Sequence, residues 1–159
     1  MKIRNQKSLW GISVIIIALL MLPIQSNAKT KLKLRPHLGI GVDKNKHTIK
    51  HFGGRIQLPA SITRSYGVEF TNFVSDMDDF TVIGIVLEQR VSSWFHMAIG
   101  SVGYFNYKSS SNNAPGLITN LGWEPPDYGN FKPFITFRSD FIFDKSFDDI
   151  HQLSVGENG

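Results

Sequence analysis

Apolar and polar residues alternate along most of the chain from Lys33 onward. Alternation with a period of two is typical of a strand with one apolar face, whereas an amphipathic helix repeats every ~3.6 residues. Polar residues, glycine and proline interrupt the alternation and divide it into eight predicted strands. These are Lys33–Val42, Thr48–Leu58, Ser65–Val74, Phe80–Val91, Trp94–Tyr107, Gly116–Trp123, Pro133–Asp144 and Ile150–Gly156. The pattern therefore predicts an all-β fold.

The predicted connections are short and polar. They are Asp43–His47, Ser75–Asp79, Ser92-Ser93, Lys108–Pro115, Pro125–Asn130 and Lys145–Asp149. Short connections join neighbouring antiparallel strands, and such a sheet loses its exposed edges by closing on itself. We therefore expect an antiparallel up-and-down β-barrel of eight strands. Most of these strands are long enough to approach the roughly 9–11 residues that a tilted strand needs to cross a membrane.

The two faces of the predicted strands differ in size and charge. One face carries large apolar side chains, and the other carries small or charged ones, among them Arg35, Gly39, Gly41, Arg55, Glu69, Gly84, Glu88, Ala98, Gly100, Arg138 and Asp140. In a transmembrane barrel the apolar face meets lipid and the polar face lines the lumen. Small residues beside long charged ones suit a crowded lumen, in which opposite charges must pair. We expect Arg35, Arg55, Glu69, Glu88 and Arg138 to form an internal ion network.

A small soluble barrel is the alternative interpretation of the same alternation. Such a barrel turns its apolar face inward and its polar face toward water. Its ligand cavity would be lined by Leu38, Ile40, Ile85, Met97 and Phe137. The direction in which the apolar side chains point decides between the two.

Aromatic residues concentrate near the ends of the predicted strands. They are Tyr66, Phe73, Phe80, Trp94, Tyr104, Tyr107, Trp123, Phe131 and Phe143. Amphipathic rings favour the two membrane–water interfaces. We therefore expect aromatic belts at the two ends of the barrel.

The first 28 residues have a different pattern. Three basic residues precede the apolar run Leu9–Leu22, and small residues follow up to Ala28. This order is that of a secretory signal peptide, and the run is shorter than the ~20 residues of a membrane-spanning helix. We expect cleavage after Ala28, so that residues 1–28 are the signal peptide and residues 29–159 form the barrel domain.

Removal of the signal peptide also removes most of the net charge. It takes away 3 of the 17 Lys and Arg residues and none of the 13 Asp and Glu residues. The remainder is close to neutral and has no basic stripe, which argues against a nucleic-acid partner. The chain has no cysteine, so disulfides, thiolate zinc sites and cysteine nucleophiles are excluded.

With these features, residues 34–156 resemble the small eight-stranded outer-membrane β-barrels of Gram-negative bacteria, the OmpA-like and OmpX-like group. The strand phrases Leu34–Val42, Lys132–Phe137 and His151–Gly156 carry the resemblance. It implies an outer-membrane location, short periplasmic turns such as Ser92-Ser93, and loops on the outside. It also implies outer-membrane lipid and lipopolysaccharide as surroundings, assembly by the barrel assembly machinery, and a monomer. Members of the group usually end in an aromatic residue, whereas this chain ends in Glu157-Asn158-Gly159.

No motif predicts a catalytic, cofactor or metal site. The barrels that the chain resembles include enzymes such as the lipid A deacylases, which look like serine hydrolases with His, Ser and an acid facing lipid. Here His151 and Ser154 are three residues apart, so a regular strand places them on opposite faces, where they cannot hydrogen-bond. His37 and His96 share the charged face, and we expect a hydrogen-bonded structural role for them.

An acidic segment offers a candidate cation site. Asp76, Asp78 and Asp79 resemble a fragment of a calcium loop that lacks the following Gly and the distal Glu. We interpret the segment as a solvated loop, with a weak cation site as the alternative.

The sequence thus predicts a non-enzymatic outer-membrane barrel without cofactor, with a structural or surface-contact role in the envelope. The first alternative is a soluble periplasmic, lipocalin-like barrel that binds an apolar ligand. The second is a lipid A-modifying enzyme of the outer membrane.

Overall fold

The computed structural model describes residues 31–75, 79–108, 112–125, 132–145 and 147–157. They form eight strands: β1 (Lys33–Asp43), β2 (Thr48–Pro59), β3 (Arg64–Ser75), β4 (Phe80–Arg90), β5 (Phe95–Phe105), β6 (Asn113–Trp123), β7 (Pro133–Phe143) and β8 (Phe147–Glu157). Each strand pairs with its neighbours in the chain, and β1 pairs with β8, so the antiparallel sheet closes into a barrel. The predicted all-β, eight-stranded antiparallel barrel is confirmed, whereas the predicted signal peptide, residues 1–28, lies outside the described residues. None of the described segments forms a helix of the length and apolar character that crossing a membrane requires.

Two strands begin three residues earlier than the sequence predicts. β6 begins at Asn113 instead of Gly116, and β8 begins at Phe147 instead of Ile150. Proline and aspartate are poor strand residues, so local preference places Pro115 and the two residues after Phe147 in connections. Pairing with an existing neighbour outweighs this local preference, because Asn113 lies opposite Phe105 and the whole ladder continues to that point.

The barrel turns its large apolar side chains outward. Every strand contributes exposed apolar residues to this surface, including Leu38, Ile40, Phe52, Val68, Ile83, Met97, Ile99, Leu121, Ile135, Phe137 and Leu153. We call this surface the apolar belt. Four of the five residues predicted to line a soluble ligand cavity belong to it and the fifth, Ile85, is half-buried, so that cavity is wrong. The outward direction is the one that a transmembrane barrel requires.

The lumen is divided into two halves. The half near the chain termini, which we call the terminal half, is charged, and the ion pairs within it are described below. The other half, which we call the loop half, is apolar and aromatic. It is filled by Phe73, Phe80, Val82, Tyr104, Tyr107, Ile118, Ile142 and Ile150, all of them buried. The rings of Phe73 and Phe80 stack at a centroid distance of 4.6 Å, and Tyr107 meets Phe80 edge-on at 5.2 Å.

This filling corrects part of the predicted aromatic belts. Phe73, Phe80, Tyr104 and Tyr107 were expected at the membrane interfaces, but their side chains lie inside the barrel. Phe73, Phe80 and Tyr104 share strand parity with the inward-facing residues, and this parity determines the direction of their side chains more strongly than closeness to a strand end does. Of the other predicted members, Trp94 and Trp123 are exposed, Tyr66 and Phe143 are half-buried, and Phe131 lies outside the described residues.

Two glycines give a direct test of how tightly the barrel is packed. A Cβ at Gly39 would overlap the carbonyl oxygen of Leu153 and the His51 ring, whereas a Cβ at Gly54 would have its nearest neighbour at 3.7 Å. We expect Gly39→Ala to lower the free energy of unfolding by about 1–3 kcal/mol, as overpacking does. The temperature at which the folded band is lost on a detergent gel measures this change. Gly54→Ala is the matched control and should lose no stability; equal losses in both variants would contradict the packing.

Candidate functional site in the barrel lumen

Glu69 is the centre of the charged half of the lumen. Its side chain is fully buried. One carboxylate oxygen accepts hydrogen bonds from Arg138 Nη1 at 2.8 Å and from Thr71 Oγ1 at 2.7 Å. The other accepts from Arg55 Nε at 2.8 Å. Three donors of this kind compensate for much of the hydration that a buried carboxylate loses.

Arg138 connects Glu69 to a second buried carboxylate. Its Nε and Nη2 donate to the two oxygens of Asp140, both at 2.8 Å, in a bidentate pair. Asp140 also accepts from the Tyr104 hydroxyl at 2.7 Å and from Gln152 Nε2 at 2.5 Å. Asp140 therefore joins the charged half of the lumen to the aromatic half.

A second group of ion pairs lies closer to the chain termini. Arg35 donates to Glu88 at 2.7 Å and to Glu124 at 2.8 Å. Arg55 also reaches Glu88, at 3.1 Å, and Arg90 reaches Glu124 at 2.6 Å. The contacts form one continuous chain of alternating charge, which we call the lumenal ion network. Its members are Arg90, Glu124, Arg35, Glu88, Arg55, Glu69, Arg138 and Asp140.

All five residues predicted for an internal ion network belong to it. The prediction placed Asp140 on the charged face without including it in the network, and it missed Arg90 and Glu124 as members. Both have the inward parity of their strand, since Arg90 is two residues after Glu88, and Glu124 is two residues after the buried Gly122. Parity within the predicted strand Phe80–Val91 already places Arg90 inward, and parity carried one step past Trp123 would have found Glu124.

The lumenal histidines pair with hydroxyl groups and carboxylates. His37 Nε2 is 3.2 Å from Thr71 Oγ1, and His51 Nε2 is 2.8 Å from Ser154 Oγ. His96 is buried between Glu88 and Glu124. The shared inward face predicted for His37 and His96 is thus confirmed. The opposite faces predicted for His151 and Ser154 are also confirmed, because Ser154 is buried in the lumen and His151 is exposed.

One group of the described residues has the spacing of a metal site. Ligand atoms of Glu88, His96 and Glu124 all lie within 4.8 Å of one another. Both carboxylates already pair with guanidinium groups, so a metal ion here would lie among Arg35, Arg55 and Arg90. Repulsion from these three charges favours the ion network over a metal. Asp76 and Asp78 of the predicted cation site lie outside the described residues.

Asp148 connects the loops at the far end of the barrel. It accepts a hydrogen bond from the Tyr107 hydroxyl at 3.0 Å and pairs with the ammonium groups of Lys44 and Lys108. Burial, followed by the nearby Asp148 carboxylate, raises the pKa of the Tyr107 hydroxyl, so that Tyr107 stays a donor. Asp148 therefore ties the β1–β2 and β5–β6 connections to β8.

The ion network predicts a large effect from one isosteric substitution. We expect Glu69→Gln to lower the free energy of unfolding by about 3–5 kcal/mol, because it removes the buried carboxylate between Arg55 and Arg138 and leaves the two guanidinium charges with only Glu88 and Asp140. Thermal unfolding in detergent, followed by the gel-mobility shift, measures the loss. Glu157→Gln, at the open end of β8, is the matched control and should change stability by less than ~0.5 kcal/mol. Similar stabilities of the two variants would show that the network does not hold the lumen together.

Comparison with known proteins supports the architecture. No protein-family model matches the chain, and no curated protein matches it in sequence. The chain is similar to the N-terminal β-barrel domain of Pseudomonas aeruginosa OprF, with a TM-score of 0.54 and 11% identity, covering 82% of this chain and 100% of that chain. It is also similar to a de novo designed transmembrane β-barrel, with a TM-score of 0.53 and 12% identity, covering 80% of this chain and 95% of that chain. The chain thus has the fold of the small eight-stranded transmembrane β-barrels.

Proposed function

We propose that this protein is an outer-membrane barrel of a Gram-negative envelope, exported by residues 1–28 and inserted as the barrel domain 29–159. The observation that carries the proposal is the apolar belt, which all eight strands share. If this apolar surface were exposed to water, it would promote association and aggregation. In a bilayer the same surface contacts acyl chains and the outer-membrane lipids, including lipopolysaccharide.

Strand length and pairing support a membrane-spanning barrel. The strands contain 11 or 12 residues, against the roughly 9–11 that a tilted strand needs to cross the hydrocarbon core. Every strand pairs on both sides, so no ladder edge is left to face lipid. Insertion of such a barrel is the task of the barrel assembly machinery, which we propose as its partner during biogenesis.

The lumen supports a structural role instead of transport. Packed rings fill the loop half, and the ion network crosses the terminal half. We propose a non-enzymatic role for this interior, which stabilises a monomeric barrel that displays its loops. With the termini on the periplasmic side, the β1–β2, β3–β4, β5–β6 and β7–β8 connections are external. These loops would provide surface contact for the envelope.

The location can be tested with the full chain. We expect cell fractionation to place the protein in the outer membrane, as a band whose gel mobility changes on heating. Recovery of the folded chain in the soluble periplasmic extract would contradict the proposed function.

A matched pair of substitutions tests the role of the belt. Ile99 lies in the middle of β5 and points outward, whereas Thr48 is exposed at the end of β2. We expect Ile99→Arg to cost about 2–4 kcal/mol and to reduce the amount of inserted protein, because it exposes a charge to hydrocarbon. Thr48→Arg, near the interface, should cost about 0–1 kcal/mol. Equal insertion of the two variants would show that Ile99 does not face lipid.

A further inference from the structure

Three polar side chains interrupt the apolar belt on the outer face of β7 and β8. Ser139 lies directly opposite His151 in the strand register, and Asp149 is two residues from His151 on the same face. Ser139 Oγ is 3.0 Å from His151 Nδ1, and His151 Nε2 is 3.0 Å from an Asp149 carboxylate oxygen. The structure therefore places a serine, a histidine and a carboxylate in hydrogen-bonded sequence. We call these residues the outer-face triad.

The contacts select one tautomer of His151. The Asp149 carboxylate can only accept, so His151 Nε2 carries the hydrogen that it donates to Asp149. The lone pair is then on Nδ1, where it accepts the hydroxyl hydrogen of Ser139. This is the arrangement of a nucleophile, its general base and the carboxylate that orients the base. The two imidazole nitrogens exchange the roles they have in most serine hydrolases, but either nitrogen can accept the proton.

The surroundings of the triad are apolar. The ring of Phe137 stacks on the ring of His151 at a centroid distance of 6.1 Å and an interplanar angle of 9°. Polar and charged groups on the lipid face of a barrel cost stability and need a reason for their presence. None of the three joins the lumenal ion network, because their side chains point outward. The triad therefore contributes nothing to the interior of the barrel.

The depth of the triad matches a chemical feature of the lipids. Asp149 is two residues from the loop end of β8, and Ser139 is four residues from the loop end of β7. With a rise of about 3.3 Å per residue and a tilt near 45°, they lie roughly 5–10 Å below the strand ends. In the proposed orientation this depth is in the outer leaflet, just beneath the headgroups, where acyl esters of lipids are found.

We propose that the outer-face triad is a nucleophilic site that hydrolyses long-chain acyl esters of outer-leaflet lipids. Such an activity goes beyond the envelope role proposed above and rests on its membrane orientation. Ser139 is 8% exposed, so an ester reaches its oxygen along the surface, beside the ring of Phe137. The half-exposed hydroxyl of Thr119, opposite Ser139 on β6, is the side chain in register to donate to the developing oxyanion.

The reaction has two balanced steps. In the first, Ser139 Oγ attacks the ester carbonyl carbon and its proton passes to His151 Nδ1. The bond to the alcohol oxygen breaks, the alcohol leaves with that proton, and the acyl group remains on Ser139. In the second, water attacks the acyl-serine and gives a proton to His151. The fatty acid leaves, and the proton returns to Ser139 Oγ.

The test uses the purified, folded full-length protein in vesicles. One set of vesicles contains phosphatidylethanolamine alone, and the other contains phosphatidylethanolamine with lipopolysaccharide. Mass spectrometry measures released fatty acid and the lipid that has lost an acyl chain. We expect release from at least one set, and the comparison identifies which lipid provides the ester. Ser139→Ala and His151→Gln should each reduce release at least ~100-fold, and Asp149→Asn should reduce it less.

Two controls separate catalysis from loss of folding. Ser101→Ala removes another outward-facing serine, on β5, and should leave release unchanged. The heat-dependent gel shift shows whether each variant is folded. No release from the folded protein in either set of vesicles, or equal release by folded Ser139→Ala, would overturn the triad. Either result would leave the membrane location intact, because fractionation measures it independently.

Discussion

The lumenal ion network is the interaction on which the rest of this barrel depends. Turning the apolar side chains outward leaves the charged side chains facing inward, where they are buried. A single unpaired charge there would cost several kcal/mol. The chain meets this constraint with alternating arginine and carboxylate groups, so that Arg35, Arg55 and Arg138 each lie between two acids. Each acid of the network accepts from more than one donor.

The network also explains the distribution of small residues. Long side chains that meet across a narrow lumen need neighbours without bulk, and the glycines provide this space. A Cβ at Gly122 would overlap the buried ring of His96, and a Cβ at Gly67 would come within about 3 Å of the Arg55 side chain. In the loop half of the lumen, aromatic rings replace the charged side chains. At the boundary between the two halves, Asp140 accepts hydrogen bonds from both Arg138 and Tyr104. The charged terminal half and the aromatic loop half of the lumen therefore form one continuously packed interior.

Strand parity made much of this structure predictable. The inward direction of Arg35, Glu69 and Glu88 is predictable because each shares a strand face with small residues. Side chains alternate between the two faces of a strand with a period of two. Parity could not tell which inward positions are ionic and which are aromatic, so Phe73 and Tyr104 were expected at the membrane interface. That distinction depends on height along the barrel, which only the register between strands determines. The contact of Ser139 with His151 is likewise a product of register, because the two residues lie on different strands.

A barrel of this kind separates two requirements that a soluble protein must meet together. The interior determines stability, and the outer face determines location. The few outward positions that are neither apolar nor at a strand end are then free to serve chemistry, as Ser139, Asp149 and His151 are proposed to do. Their position in the belt would give such a site direct access to lipid without any opening into the lumen.

The orientation of the side chains is the central claim, and contacts between lipid and methyl groups test it most directly. In nuclear Overhauser spectra of the unmodified protein in lipid nanodiscs, we expect cross-peaks from lipid acyl-chain protons to the methyl groups of Ile99 and Met97. The methyl groups of Ile118 and Val102 should show none, because they are buried in the lumen. Cross-peaks to Ile118 and Val102 with none to Ile99 and Met97 would contradict the account.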